Sequence, residues 1–276
     1  MKRHGAIVEF VGPPGAGKSL LAEHLREAWL EEGFRAPERK KLRRRYLETG
    51  PIARWTKRRF DKGKAPPGTL YEWRTRIWEE RQAPWLRGLF TLRHPSAMWA
   101  VRRRLAAIER RSPEEHERVL HWIELNLLFY QVARYRADAF DLFVWEEGIA
   151  TRAVNLFAEV EGSVPEAELA RFLRGWAMPD ALVVVRAEPG RCVARMMERG
   201  LPTRLSGVSR EGVERFVEHS RQVVDAIVSE ASRRALPTFT IDNEGDEVAA
   251  LLASPQLAGL TREIPTSLGV SPTGGP

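Results

Sequence analysis

The sequence predicts an α/β fold, a doubly wound parallel sheet with a helical insertion rich in arginine and tryptophan. Four short apolar runs alternate with helical stretches, which indicates right-handed β–α–β crossovers. The runs are continuous rather than alternating, as expected for strands covered on both faces. They comprise Ala6–Val11 and residues 141–145, 181–185 and 238–241, with a weaker candidate at 34–37.

Helical periodicity and helix-end signals fill the intervals between these strands. Residues 20–32 are amphipathic and end at Gly33. Ser112, Pro113 and Glu115 provide an N-cap, a first-turn proline and a capping-box acid ahead of a long helix that reaches about residue 136. Further helices are predicted at 166–176, 191–199 and 213–234.

The length and the proline pattern predict the domain organisation. A chain of 276 residues is long enough for one elaborate α/β domain. We expect a single domain over residues 1–252, interrupted by a basic helical insertion at 35–111, and a mobile tail at 253–276. The insertion contains proline breaks and five tryptophans, namely Trp55, Trp73, Trp78, Trp85 and Trp99.

The positive charge of the chain is concentrated in the insertion. Residues 35–111 contain 23 Lys and Arg but 7 Asp and Glu, so the overall charge of +7 divides into +16 here and −9 elsewhere. Such a surface would attract phosphates, nucleic acid or an anionic membrane. A solvated surface balanced by the acidic remainder is the alternative interpretation.

Cysteine content and hydropathy suggest the compartment. Cys192 is the single cysteine, which excludes an internal disulfide framework, and no Cys or His set has zinc-like spacing. No stretch has the roughly 18 apolar residues that span a bilayer. We therefore expect a cytoplasmic protein.

Residues 12–19, GPPGAGKS, match the phosphate-binding pattern G-x-x-x-x-G-K-[ST] completely. The match lies between a predicted strand and a predicted helix, where glycines let backbone N–H groups converge on phosphate oxygens. Lys18 would reach the β- and γ-phosphates, and Ser19 would supply a hydroxyl group to Mg²⁺. The predicted nucleotide-binding residues are Gly12, Pro13, Pro14, Gly15, Ala16, Gly17, Lys18, Ser19 and Leu20.

A second candidate group follows the strand at 141–145, where DLFVW runs into Glu146 and Glu147. A carboxylate in this position holds Mg²⁺ or activates the attacking group in phosphoryl transfer. Alternation at a strand end would point the two acids to opposite sides. We favour Glu146, together with Ser19, as the metal-site residue, and Glu147 as the rival for the catalytic role.

The order of these motifs resembles the P-loop nucleoside and nucleotide kinases, particularly the thymidylate-kinase-like group. The resemblance is carried by GPPGAGKS, FVWEEGIATR, ALVVVRAEPGRCVARMMERG and TFTIDNEGD, and it excludes the insertion. It implies a parallel sheet of about five strands, ATP and Mg²⁺, and an arginine-bearing lid. Glu146 takes the place of the acid in the family's acid-Arg motif, whereas Glu147 stands where that motif has arginine.

The resemblance also suggests where the remaining site residues lie. The lid segment RMMERGLPTRLSG offers Arg195, Arg199 and Arg204 as catalytic cations, the first two on one helix face at i, i+4. Asn243 stands where relatives contact adenine. Arg152 would replace the missing cation of the acid-Arg motif.

The acceptor site is not carried over from the family. Besides Glu147 and Arg152, acceptor-binding candidates are Gln131 and Arg134, spaced i, i+3 on the long helix. Ordinary polar-face positions are an equally open interpretation for this pair.

These observations predict a kinase that transfers the γ-phosphoryl group of Mg-ATP to a small-molecule acceptor. The acceptor would be nucleoside- or nucleotide-like, or an anionic sugar. The alternative is an ATP-hydrolysing switch or a polynucleotide-type kinase whose insertion binds nucleic acid or an anionic membrane. No NKxD-type guanine reader is present, which disfavours a regulatory GTPase.

Overall fold

The computed structural model describes residues 5–49, 88, 91–108, 113–176, 178–244 and 251–273. Within these residues one parallel sheet is formed, with the strand order β2-β1-β3-β4. The four predicted strands are confirmed to within one residue at each end. They are β1 (Ala6–Val11), β2 (Leu142–Trp145), β3 (Ala181–Arg186) and β4 (Thr238–Asp242).

The chain reverses its direction across the sheet at β1, which pairs with both β2 and β3. It first crosses from β1 to β2 on one side, and then returns to β3 and β4 on the other. In open α/β sheets, ligands bind at such a reversal, outside the carboxyl ends of the strands.

Helices cover both faces of the sheet, which confirms the doubly wound class. On one face, α1 packs against β1, α9 packs against β4, and the two helices contact each other. On the other face, α5 packs against β1 and α8 against β3, and these two helices also contact each other. The described helices are α1 (Lys18–Glu31), α2 (Arg39–Thr49), α3 (Pro95–Ala107), α4 (Pro113–Tyr135), α5 (Ile149–Phe157), α6 (Glu166–Gly175), α7 (Pro189–Arg199), α8 (Arg210–Arg233) and α9 (Pro255–Ser267).

The weak strand candidate at 34–37 is wrong. Phe34 and Ala36 are buried, but the segment runs beside the start of β2 without forming a ladder. Its contact there is the carbonyl group of Arg35, which accepts hydrogen bonds from the N–H groups of Asp141 and Leu142 at 2.9 and 3.3 Å. The sheet of the described residues therefore has four strands, not the five or so that the family resemblance implies.

The predicted tail at 253–276 is also wrong over most of its length, because it contains α9. Ser254 caps this helix by accepting a hydrogen bond from the N–H of Leu257. Leu257 and Ile264 are fully buried, and the indole Nε1 of Trp29 donates to the carbonyl of Thr261 at 2.9 Å. Burial of these apolar side chains stabilises the helix against α1.

Most of the predicted insertion at 35–111, including four of its five tryptophans, lies outside the described residues. Its described parts are mainly α2 and α3, which both carry arginines. None of the helices that the structure describes combines the length and the apolar character needed to cross a membrane.

Candidate active site

The phosphate-binding loop at 12–19 joins β1 to the first turn of α1. Gly15 and Gly17 have φ angles of +83° and +90°, a left-handed conformation that favours glycine. A Cβ at Gly15 would meet the carbonyl of Cys192, and one at Gly17 would meet the side chain of Asn243. Both glycines are thus required by conformation and by the close approach of α7 and the end of β4.

Asn243 anchors this loop from the end of β4. Its side-chain nitrogen donates to the carbonyl of Ala16 at 2.7 Å. Arg195 on α7 reaches the same place and donates to Asn243 Oδ1 and to the carbonyl of Gly15, both at 3.4 Å. The sequence suggested that Asn243 stands near adenine; the structure gives its side chain a role in holding the loop.

Lys18 extends along the inside of the loop. Its Nζ donates to the carbonyl groups of Gly12 and Pro13 at 3.0 and 2.9 Å. Burial lowers the pKa of Lys18 to about 8, and the positive charge of Arg199 contributes to this decrease. An anion beside the ammonium group would reverse this effect, because it favours the charged form.

Glu146 and Glu147 lie in a turn after β2 rather than in the strand and have different partners, so the alternation expected of a strand does not apply to them. The Ser19 hydroxyl group hydrogen bonds to Glu146; burial raises the pKa of Glu146, and this hydrogen bond opposes the increase. The carboxylate of Glu147 instead pairs with Arg152 Nη2 at 2.7 Å. The Glu147 side chain is 58% exposed, whereas that of Arg152 is 10% exposed.

The arginines after β3 differ in their surroundings. Arg195 contacts the loop, and Arg199 is exposed one helical turn further on. Arg204 instead contacts α5, where it donates to the backbone carbonyl and the side-chain oxygen of Asn155 at 3.1 and 3.0 Å. Its guanidinium group also lies 4.5 Å from the centre of the Phe216 ring.

These elements surround a cavity of about 740 Å³ at the carboxyl ends of the strands. The cavity is lined by the phosphate-binding loop, by both acids and by the three arginines. The structure therefore brings the predicted nucleotide-binding and catalytic residues together, except that Pro13 and Ala16 of the loop do not line the cavity. A further wall consists of Val119 and Ile123 of α4 and of Thr151, Arg152, Val154 and Asn155 of α5.

The donor atoms at Ser19 and Glu146 fit a magnesium ion. A hydroxyl and a carboxylate oxygen in contact are the hard ligands that Mg²⁺ prefers. Among the described residues, no three His, Cys, Asp or Glu side chains form a metal-binding group. Phosphate oxygens and water would have to supply the other ligands, as is usual for Mg²⁺ in nucleotide sites.

The assignment of Arg134 to the acceptor site is wrong. Arg134 donates to both carboxylate oxygens of Asp180 at 2.9 and 2.8 Å and to the hydroxyl of Tyr130 at 2.9 Å. Asp180 also accepts a hydrogen bond from the N–H of Ile7, so this cluster lies at the amino ends of β1 and β3. Gln131 does not line the cavity either.

Glu9 is a residue of this region that the sequence analysis did not identify. It lies in the middle of β1, is fully buried, and faces the first turn of α5. The available signal was an acid within an otherwise apolar run that was itself predicted to be a covered strand. Thr151 and Asn155 were missed as well, although Thr151 lies within the FVWEEGIATR segment.

No protein-family model and no curated protein matches the chain. Among solved structures it is similar to the deoxyadenosine kinase from M. mycoides with bound dCTP, with 9% identity, coverage of 94% of this chain and 99% of that one, and a TM-score of 0.36. It is also similar to TT1252 from Thermus thermophilus, with 20% identity, coverage of 93% and 97%, and a TM-score of 0.37. At such scores the fold and site assignments rest on the strand order and contacts described above.

Proposed function

We propose that this protein is an ATP-dependent kinase that transfers the γ-phosphoryl group to a small acceptor with anionic character. The observation that carries the proposal is one cavity lined at once by the phosphate-binding loop, Glu146 and four arginines. A phosphate-binding loop alone would serve any nucleotide-binding protein. Cations and a carboxylate opposite the loop are what phosphoryl transfer needs in addition.

The donor nucleotide would lie on the loop side of the cavity. Backbone N–H groups of the loop and the Lys18 ammonium would hold the phosphates. Ser19 and Glu146 would hold Mg²⁺, which supplies positive charge to the phosphate oxygens. Arg195 and Arg199 face the same space from α7 and would neutralise the charge that develops during transfer.

The acceptor would lie against α4 and α5. Thr151, Arg152 and Asn155 offer polar contacts, and Val119 and Ile123 offer an apolar surface. Several cations line the cavity, and Glu146 and Glu147 are its acids, which favours an acceptor that carries negative charge.

In the reaction, an acceptor oxygen forms a bond to the γ-phosphorus, and the bond from this phosphorus to the β–γ bridging oxygen breaks. ADP leaves with that oxygen. When the acceptor is a hydroxyl group that carries its proton, Glu146 accepts this proton instead of binding Mg²⁺ directly. Glu147 is less suited to accept it, because its carboxylate is already paired with Arg152.

The test is transfer of radiolabelled γ-phosphate from ATP to pools of nucleosides, nucleotides, phosphorylated sugars and RNA ends. We expect a labelled small-molecule product and little ATP hydrolysis without acceptor, because kinases exclude water from the reacting group. Steady hydrolysis that never labels a product would contradict the proposal and favour a switch. Label on RNA ends would favour a polynucleotide-type kinase.

Lys18→Ala is the variant matched to this experiment. Because Lys18 Nζ faces the phosphate-binding loop, its removal should lower transfer on the order of 10³-fold or more. The circular dichroism spectrum should be unchanged. Full activity of the folded variant would refute the assignment of this loop as the donor site.

A further inference from the structure

Glu9 is an unusual residue for the centre of a sheet. It is fully buried in β1, between the buried neighbours Val8 and Phe10. Burying a carboxyl group costs free energy unless hydrogen bonds compensate for the lost water. An apolar residue would complete the continuous apolar run of β1 at no such cost.

The carboxyl group of Glu9 holds the first turn of α5. Its Oε1 accepts hydrogen bonds from the N–H groups of Ala150 and Thr151 at 2.5 and 3.3 Å. These are amide groups that the helix itself leaves without a partner. The neighbouring Phe10 contributes as well, since its carbonyl accepts a hydrogen bond from Thr151 Oγ1 at 3.2 Å.

This turn carries residues of the proposed site. Thr151 Oγ1 also bonds to the carbonyl of Glu146 at 3.2 Å, which ties α5 to the end of β2. Arg152, the next residue, holds Glu147. Residues 146–152 are therefore connected to β1 through Glu9 and Thr151. In addition to Glu146, three other residues of this segment line the cavity.

The second carboxyl oxygen of Glu9 accounts for the free-energy cost of this arrangement. Glu9 Oε2 is buried and has no hydrogen-bond partner among the described residues. Burial raises the pKa of Glu9 to about 8, so the group is mostly uncharged at neutral pH. The first turn of α5 is then held by hydrogen bonds to a neutral acceptor oxygen and not by a negative charge.

We propose that Glu9 is a positioning residue whose carboxyl oxygen holds residues 146–152 in the geometry that phosphoryl transfer requires. This inference rests on the proposed function and adds to it a residue outside the cavity. Displacements of about 1 Å at a reacting group lower rates on the order of 10²-fold, so a buried anchor would affect turnover without touching substrate.

The test compares two substitutions of this residue. Glu9→Gln keeps an acceptor oxygen at the same reach, whereas Glu9→Leu removes it at similar volume. We expect kcat to stay within about threefold in Glu9→Gln and to fall on the order of 10²-fold in Glu9→Leu. KM for ATP should be nearly unchanged in both, because Glu9 does not line the cavity. Amide exchange at Ala150 and Thr151 should accelerate only in Glu9→Leu.

Asp141→Asn provides the control for a merely structural role. Asp141 is also buried and binds Arg35 and Thr273, at the opposite end of β2. This variant should unfold at a lower temperature but keep the kcat of the wild-type protein. Should Glu9→Leu fail to fold, Glu9→Asp retracts the oxygen by one methylene group and should lower kcat at least about tenfold.

Wild-type kcat in Glu9→Leu or Glu9→Asp, or an equal loss in Glu9→Gln and Glu9→Leu, would overturn the inference and leave the proposed function intact. Absence of transfer by the wild-type protein towards every acceptor pool would overturn both. A loss confined to KM would overturn the positioning role as well.

Discussion

At the amino edge of the sheet, charged side chains are paired with each other and with backbone groups, whereas at the carboxyl edge they surround a cavity. Asp180 is bound by Arg134 and by the N–H of Ile7, and Asp141 is bound by Arg35 and Thr273. At the other edge, the charges of Lys18 and Arg199 repel each other strongly enough to contribute to the lowered pKa of the lysine.

The difference shows how the same residue types serve two purposes. Arg134, whose partner Asp180 lies away from the cavity, stabilises the fold. The pair of Arg152 and Glu147, in contrast, lines the cavity. Cations that face each other across a cavity raise the electrostatic potential there and attract an anion. The contrast therefore assigns stability to one edge and ligand binding to the other.

The strongest test of the contrast is Arg199→Ala. Arg199 is exposed on α7 and lines the cavity, so its removal should lower kcat on the order of 10²-fold while changing the free energy of unfolding by less than about 0.5 kcal/mol. Steady-state transfer assays and urea denaturation measure the two quantities. Arg210→Ala, at an exposed ion pair with Glu214, is the control and should change neither. A lower free energy of unfolding with an unchanged kcat in Arg199→Ala would contradict the assignment of ligand binding to the carboxyl edge.

At the amino edge the opposite outcome is expected for Arg134→Ala. The substitution leaves Asp180 and Tyr130 without their shared partner, and it should lower the free energy of unfolding by about 2 kcal/mol. The kcat of the folded protein should remain that of the wild type. Denaturant unfolding at constant pH measures the change in the free energy of unfolding. A tenfold decrease in kcat would instead support a role of Arg134 in the acceptor site.

A pH-dependent effect on stability is expected from Glu9. Since its pKa is raised to about 8, the unfolded state releases this proton near pH 4.5 and the folded state only near pH 8. Stability should therefore fall between these pH values and level off above them, by at most about 1.4 kcal/mol per pH unit. The pKa of about 8 already includes the opposing effects of the α5 amide groups and Arg152, so the slope depends only on the one proton released.

Glu9→Gln lacks the titrating group and isolates its contribution. The difference in unfolding free energy between the wild type and this variant, measured from pH 4.5 to pH 9, should decline and then become constant. A difference that does not vary with pH would show that Glu9 is ionised in the folded protein.

The strands and the phosphate-binding loop were predictable because local patterns determine them. Continuous apolar runs indicate covered strands, and the glycines of GPPGAGKS indicate a loop whose backbone adopts left-handed conformations. The helix α9 had the same kind of signal, a serine followed by proline at its start, which the prediction of a tail overlooked, and it also contains Pro265. That proline lies in the last helical turn, buried against the domain.

The edge at which a charged residue lies was not predictable. Helical spacing places Gln131 and Arg134 on a common face of α4, but it does not indicate which end of the sheet that face reaches. The partner that decides the role of Arg134 is Asp180, which is 46 positions further along the chain. The role of Glu9 depends in the same way on amide groups 141 and 142 positions away.

The close contact between Glu9 and Gly148 makes these two positions dependent on each other. A Cβ at Gly148 would enter the space of the Glu9 carboxyl group. Gly148→Ala should therefore be tolerated only together with a smaller residue at position 9, and the two substitutions should show strongly non-additive effects. In a library of variants, or in the natural history of this fold, the two sites would be expected to change as a pair.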